Sequence, residues 1–238
     1  MKKIRVILID DERLARKELH HMLDAYPDFE VIAEAANANE SVPLIIKHQP
    51  DLILLDIQMP GKSGFDLLEM LQQVPEVIFV TAYDQYAVKA FEADALDYVV
   101  KPVRAERFSK VIEKVRDKLS RIISSPQQLF VKDGNKCYFI RLYEIYLIES
   151  MENYARLHFR DAITYLKRSL NQLETELDPL MFFRINRSQI INTDFIRQIE
   201  QAENGRLSIT LHDGKLLQVS ERQSVKFKSN NRLKTKFN

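Results

Sequence analysis

A chain of 238 residues is long for one ordinary domain and comfortable for two, each able to bury a core of its own. With 45% hydrophobic and 29% charged residues, no apolar run near the ~20 residues of a membrane span and no signal-peptide core at the N-terminus, the composition predicts a cytoplasmic globular protein. The single cysteine, Cys137, excludes an internal disulfide and a cysteine-rich zinc site and reads as a small strand residue. The net charge of +1 hides an asymmetry: residues 1 to 124 hold 17 basic against 21 acidic side chains (−4), and residues 125 to 238 hold 18 against 13 (+5), a basic half that suits a polyanionic partner.

Ile4 to Ile9 is an apolar, β-rich run that ends in Asp10-Asp11. Ala15, Leu19, Met22, Leu23 and Tyr26 recur at helical spacing until Pro27 stops them, and Phe29 to Ala33 reads as a second strand. Residues 38 to 48 predict a helix. Leu52 to Asp56 is too short and too uniformly apolar for a helix, so it reads as a buried parallel strand that delivers a carboxylate to its C-terminal edge. Met59-Pro60-Gly61 breaks that strand into a loop expected to leave Asp56 exposed. A helix over 65 to 71, a strand from Val77 ending in Thr81, a helix over 86 to 91, a short strand Tyr98 to Val100 ending in Lys101-Pro102, and a closing helix striped by Phe108, Val111, Ile112, Val115 and Leu119 follow. Strands alternating with helices predict an α/β doubly wound, five-stranded parallel sheet over residues 1–120.

That topology gathers Asp10, Asp11, Asp56, Thr81 and Lys101 at one sheet edge, where open α/β sheets bind ligands. Taken alone, Asp56 would more often be a turn-capping carboxylate; its partners argue otherwise. Clustered carboxylates repel unless a cation lies between them, and hard oxygen donors favour Mg²⁺. A metal and the Lys101 ammonium together can neutralise a phosphoryl group arriving on Asp56, with a hydroxyl hydrogen-bonding the product as an aspartyl phosphate.

Asp10-Asp11, the Asp56 strand with Met59-Pro60-Gly61 and Gly64, Thr81-Ala82, and Tyr98 three before Lys101-Pro102 together resemble the receiver domain of a two-component response regulator, with its flavodoxin-like fold. The resemblance implies that Asp56 accepts phosphate from a sensor histidine kinase, that Asp11 ligates Mg²⁺ directly and Asp10 through a water, and that the Gln58 backbone carbonyl is a further ligand. It also implies that Lys101 pairs with the phosphoryl oxygens, that Thr81 and Tyr98 are the switch pair, and that the Lys101-Pro102 bond is cis. A Mg²⁺-dependent phosphatase built on Asp56 would need an acid/base carboxylate two residues on, where this chain has Gln58, so no enzyme is expected.

Residues 121–128 lose periodicity and gain Ser, Pro and Gln, as a linker does. Residues 129–238 read as mainly β: short strands at 129 to 131, 137 to 140, 143 to 148, 154 to 159, 163 to 166, 182 to 185, 196 to 200, 207 to 211 and 216 to 219, with turns at Asp133-Gly134, Asn204-Gly205 and Asp213-Gly214. Ser169 to Leu177 is the clear helix, and Ser220 with Gln223 resembles a capping box for a short terminal one. No pair of adjacent helices offers a helix-turn-helix; the polar clusters are Asn153-Tyr154, Arg184 to Ser188 and Ser220 to Arg222.

The strings Ile148-Glu149-Ser150 to Tyr154, Phe182 to Ser188, Ile191-Asn192 and Val219 to Arg222 resemble the LytTR DNA-binding domain. The resemblance implies an elongated β fold whose loops read major grooves through Tyr154, Asn186, Arg187 and Arg222, on double-stranded promoter DNA with direct repeats. Asn186 stands where the family usually has His, and Glu221 where a basic residue is common. The expected whole is a phosphorylation-controlled transcription factor that forms a homodimer when phosphorylated; the alternative couples the receiver to an RNA- or protein-binding output.

Overall fold

The computed structural model describes residues 3–83, 95–120, 128–134, 136–202 and 205–229. The helix expected over 86 to 91, all of the expected linker except Gln128, and Asn204 lie outside the described residues. The chain forms two compact units, residues 1–141 and 142–238. No helix among the described residues is long and apolar enough to cross a membrane.

The first unit is a five-stranded parallel sheet of β1 (Ile4–Ile9), β2 (Phe29–Ala35), β3 (Leu52–Leu55), β4 (Glu76–Thr81) and β5 (Asp97–Val100), in the order β2-β1-β3-β4-β5. Its central strands β3 and β4 are buried along their whole length, as a sheet covered on both sides requires. Ile7, Ile9, Ile53, Leu55, Val77 and Phe79 pack beneath α2 (Ala38–His48) and α3 (Gly64–Glu69). The alternate residues Val6, Leu8, Leu52, Leu54, Ile78 and Val80 join Leu19 and Leu23 of α1 (Arg13–Asp24) and the Phe108, Val111, Ile112, Val115 stripe of α4 (Ala105–Ser120). The predicted stripe is therefore core packing.

Register places the site. Ile9 pairs with Leu55, and Thr81 pairs with Val100, so Asp10, Asp56, Thr81 and Lys101 emerge at one edge. Where α3 starts, close approach demands glycine: a Cβ on Gly64 would lie 2.5 Å from the Asp56 carbonyl oxygen. Ser63 caps α3 in a reciprocal capping box with Asp66, whose carboxyl is held below its usual pKa chiefly by the Ser63 hydroxyl.

The hairpin of β6 (Gln128–Asp133) and β7 (Lys136–Arg141), which the sequence groups with the second domain, packs in the first unit. The reason is aromatic: Phe130 stacks on Phe65 at 6.1 Å between centroids and meets Phe139 edge-on at 5.1 Å, while Phe139 contacts Phe79 at 6.4 Å. Gln128 begins β6, its side-chain amide donating to the Pro75 carbonyl (2.6 Å) and its own carbonyl accepting from Val74 N–H (3.0 Å). Arg141 closes the hairpin with a buried ion pair to Glu76 (2.6 Å).

The second unit is antiparallel. β8 (Ile145–Met151), β9 (Tyr154–Phe159), β10 (Ala162–Leu166), β11 (Phe182–Asn186) and β12 (Gln189–Asn192) form one sheet, in the order β10-β9-β8-β12-β11; β13 (Ile196–Gln201), β14 (Leu207–Leu211) and β15 (Leu216–Gln218) form another. Leu147, Ile185, Ile191, Ile209, Leu217 and Phe227 share one core that joins both sheets to α6 (Glu221–Ser229). Ser169 caps α5 (Leu170–Glu176) with a capping box to Gln172. Two strand expectations need correction. Leu142–Glu144 is a 3-10 turn ahead of β8, which starts at Ile145, and β12 is a strand the sequence did not single out, its four residues being too short a run to show alternation.

Candidate functional site: an acidic sheet edge and a basic loop edge

At the receiver-like edge, carboxylate oxygens of Asp10, Asp11 and Asp56 lie within 4.8 Å of one another. Asp10 is buried and Asp11 exposed. The Lys101 ammonium bridges Asp10 Oδ2 (2.7 Å) and Asp56 Oδ2 (3.0 Å), with Glu12 further off at 3.9 Å. Asp56 was expected to be exposed, but its side chain is only 8% accessible, because Lys101 lies across it; the Gln58 N–H also donates to Asp56 Oδ1 (3.2 Å). The Lys101-Pro102 peptide bond that follows is cis.

The electrostatics follow from crowding. Burial, assisted by the neighbouring Asp56 charge, holds the Asp10 carboxyl above its usual pKa even though Lys101 pulls it down. Burial works against the Lys101 ammonium, yet its bonds to Asp10 and Asp56 outweigh that and leave its pKa above the usual lysine value. One ammonium among three carboxylates leaves a surplus of negative charge formed by hard oxygen donors. Such a set fits Mg²⁺, which needs only one or two carboxylates and keeps waters. Beside it the Thr81 hydroxyl is fully buried with no hydrogen-bond partner among the described residues, and the Tyr98 hydroxyl donates to the Tyr83 carbonyl.

Sequence reasoning missed Arg16 here. Its guanidinium donates to the Asp10 carbonyl (2.6 Å) and pairs with Glu34 (3.1 Å), fixing the turn that carries both aspartates. Nothing in its helical spacing sets it apart from a surface arginine.

In the second unit, three segments far apart in sequence are tied side by side. The Ser150 N–H, before the Glu152-Asn153 turn, donates to the Ser188 carbonyl (2.8 Å); the Ser220 N–H, before α6, donates to the Ile185 carbonyl (2.9 Å). Tyr154, Arg187 and Arg222 thereby share one edge and are all exposed. The guanidinium groups of Arg187 and Arg222 have no hydrogen-bond or ion-pair partner among the described residues. Asn186 sits between them, donating to Gln189 Oε1 (2.8 Å) and the Gln218 carbonyl (3.0 Å). Gln189 passes the network to Glu149 Oε1 (3.0 Å), whose other oxygen lies 2.7 Å from Nε2 of the buried His158. Burial chiefly holds His158 below its usual pKa, while the bonds from Gln189 and His158 overcome burial to keep Glu149 below its own. Glu149 was named from sequence only within the string Ile148 to Tyr154 and Gln189 not at all, since cross-strand partners show no local spacing.

The family model for the response regulator receiver domain matches residues 6–113, and that for the LytTr DNA-binding domain matches residues 135–231. The sensory transduction protein LytT of Enterococcus faecalis is 31% identical over 94% of this chain and 98% of its own. The chain belongs to the LytTR response regulators. This regulator is also 32% identical to the transcriptional regulatory protein LytR of Staphylococcus aureus, over 95% of this chain and 98% of that one. An uncharacterized response regulatory protein of Vibrio cholerae is 36% identical over 92% and 94%. The regulator is thus a two-component protein with a receiver domain and a LytTR DNA-binding domain, of the transcription-regulating class.

Proposed function

We propose that a sensor histidine kinase in the cytoplasm phosphorylates this regulator on Asp56, and that the phosphorylated chain, as a homodimer, binds double-stranded promoter DNA through Tyr154, Asn186, Arg187 and Arg222 to control transcription. The observation that carries the first half is the buried Asp56 carboxylate held under the Lys101 ammonium beside a Thr81 hydroxyl with no partner among the described residues. A carboxylate oxygen of Asp56 attacks the phosphorus of a phosphohistidine; the O–P bond forms as the P–N bond breaks, and its electron pair returns to the imidazole nitrogen. Lys101 follows the charge from Asp56 Oδ2 onto a phosphoryl oxygen, and Thr81 Oγ1 donates to another. Turning toward the phosphoryl group gives the Thr81 hydroxyl its bond, and Tyr98, on the strand paired with β4, repacks with it.

Asp10, Asp11, Asp56 and the Gln58 carbonyl would hold Mg²⁺, which when bound supplies positive charge for the incoming phosphoryl oxygens. Gln58 stands two residues beyond Asp56, where similar hydrolases carry their acid/base carboxylate, which supports a regulator over a phosphatase. Incubation with radiolabelled acetyl phosphate and Mg²⁺ tests the assignment: the wild type takes up label and Asp56→Asn does not. Undiminished labelling of Asp56→Asn removes it. Light scattering of the phosphorylated protein should read a dimer.

A further inference from the structure

We infer that Arg184 is a positioning residue for DNA recognition: it clamps the turn between β11 and β12 in the shape that presents Arg187. The inference rests on the reading of Arg187 as a DNA contact. Sequence places Arg184 in the same polar cluster as Arg187, two arginines that a loop could equally offer to DNA. The structure separates them. Arg184 is only 16% accessible, and its guanidinium is spent inside the protein.

Nε donates to the Asn186 carbonyl (3.1 Å) and Nη2 to the Arg187 carbonyl (2.9 Å), so two consecutive peptide groups of the turn hang on one planar fork. Nη1 anchors that fork to α5 through Asn171 Oδ1 (2.6 Å) and Glu174 Oε2 (2.8 Å). The strand pairing is irregular at the same place: Arg184 pairs with Ile190 and Asn186 with Gln189, so Ile185 is an extra residue with its side chain in the core. The carbonyl of the extra residue, Ile185, accepts the Ser220 N–H, and the Arg184 fork takes up the next two, at the end of β11 and in the turn.

Asn186 belongs to the same frame. Both its amide hydrogens are used, on Gln189 and on the Gln218 carbonyl, and its Oδ1 accepts the Ser188 N–H (2.9 Å). Donating to a base through Asn186 would first require breaking one of its two amide bonds, while Oδ1 keeps a second lone pair with which to accept from DNA. Asn186 therefore holds the turn from the β15 side while Arg184 holds it from α5, and the exposed Arg187 sits on a turn braced from both. An arginine whose backbone is fixed loses less freedom on pairing with a guanine edge, so the clamp contributes to discrimination and not to the charge attraction felt by any duplex.

The test uses the full chain and fluorescence anisotropy on a duplex selected from a random pool and on a scrambled one, at several salt concentrations. Arg184→Lys keeps the charge but loses the fork. Its preference for the selected duplex should fall about tenfold or more, with scrambled-duplex affinity and salt slope unchanged, because Arg184 neutralises no phosphate. Arg187→Ala should lose preference similarly, and the Arg184→Lys/Arg187→Ala double variant should be no worse than Arg187→Ala alone, since one residue acts through the other. If Arg184→Lys unfolds, Asn171→Ala with Glu174→Gln, which loosens the α5 anchor from the helix surface, should show the same loss at a native melting temperature. Additive losses, a salt slope reduced by about one unit in Arg184→Lys, or undiminished preference in the Arg184 and α5 variants while Arg187→Ala loses it would each overturn the clamp alone. Wild-type preference in Arg187→Ala would overturn the reading of Arg187, and the clamp with it.

Discussion

The acidic edge of the receiver and the basic edge of the β unit solve opposite electrostatic problems. At the first, like charges are buried: Asp10 and Asp56 are 1% and 6% accessible, and one ammonium spans them. Burial lowers the effective dielectric, so each added or removed charge is felt strongly, which suits the proposed phosphorylation. At the second, Arg187 and Arg222 stand in water, and on the proposed reading counterion release and base pairing draw on that accessible charge while the backbone at Arg187 is tied down by Arg184. Charge in the receiver should thus govern stability and switching. Charge on the loop edge should govern affinity and sequence preference with little effect on stability.

The largest expected effect breaks a buried charge in the first unit. Glu76 and Arg141 are paired at 2.6 Å with side chains 2% and 9% accessible. Glu76→Ala removes the carboxylate facing a buried guanidinium and should destabilise the first unit by ~3–5 kcal/mol, read as a lower urea midpoint. A change within the range of an exposed ion pair, below ~1 kcal/mol, would mean that water reaches Arg141 and that burial is not what holds this region.

Second in size, Arg187→Ala should cost ~1–3 kcal/mol of discrimination at one base position in each half-site. The same variant should leave the urea midpoint within ~0.5 kcal/mol of wild type, as for a surface substitution. Destabilisation beyond that would erase the contrast between the two edges.

How much of this was legible in the sequence follows the same division. In the first unit the gathering of Asp10, Asp56, Thr81 and Lys101 was legible, because in a parallel sheet polar groups sit where apolar runs end, and β1, β3, β4 and β5 all end at one edge. The exposure of Asp56 was misjudged because Lys101 comes from 45 residues away, and no local pattern shows that it will lie across the carboxylate. In the β unit Tyr154, Arg187 and Arg222 were legible as polar clusters at turns, but the ties between those turns were not. Ser150 to Ser188 and Ser220 to Ile185 are backbone bonds, which any sequence could make. The division of labour between Arg184 and Arg187 was equally hidden, since it depends on where the chain bulges.

A smaller effect probes the support beneath the loop edge. Ser169 caps α5, accepting the Gln172 N–H while Gln172 accepts the Ser169 N–H in return (2.9 Å). Ser169→Ala should cost ~1 kcal/mol, read by thermal unfolding. Because α5 carries Asn171 and Glu174, preference for a selected duplex should weaken while binding to a scrambled one holds.

The smallest expected effect is a titration on the receiver's surface, where charges should behave like those of the loop edge. Arg116 on α4 makes two bonds to Asp28 (2.7 and 2.6 Å) and lies over the Tyr26 and Phe29 rings at 5.5 and 5.8 Å. The Arg116 bond is the main reason the Asp28 carboxyl is held below its usual value of 3.8. A folded pKa below the unfolded one means that the unfolded chain binds the proton more readily. The pair's contribution is therefore present in full above the unfolded value and is lost as pH falls through the folded one. Both partners are about a third or more exposed, so the contribution belongs with surface pairs, at ~0.2–1 kcal/mol. Urea unfolding of wild type and Asp28→Asn, from neutral pH to about pH 2, should show a constant small gap down to roughly pH 4 that closes below it. A gap that widens as acid is added would mean that Asp28 is held above its usual value, and would place this surface pair with the buried charges.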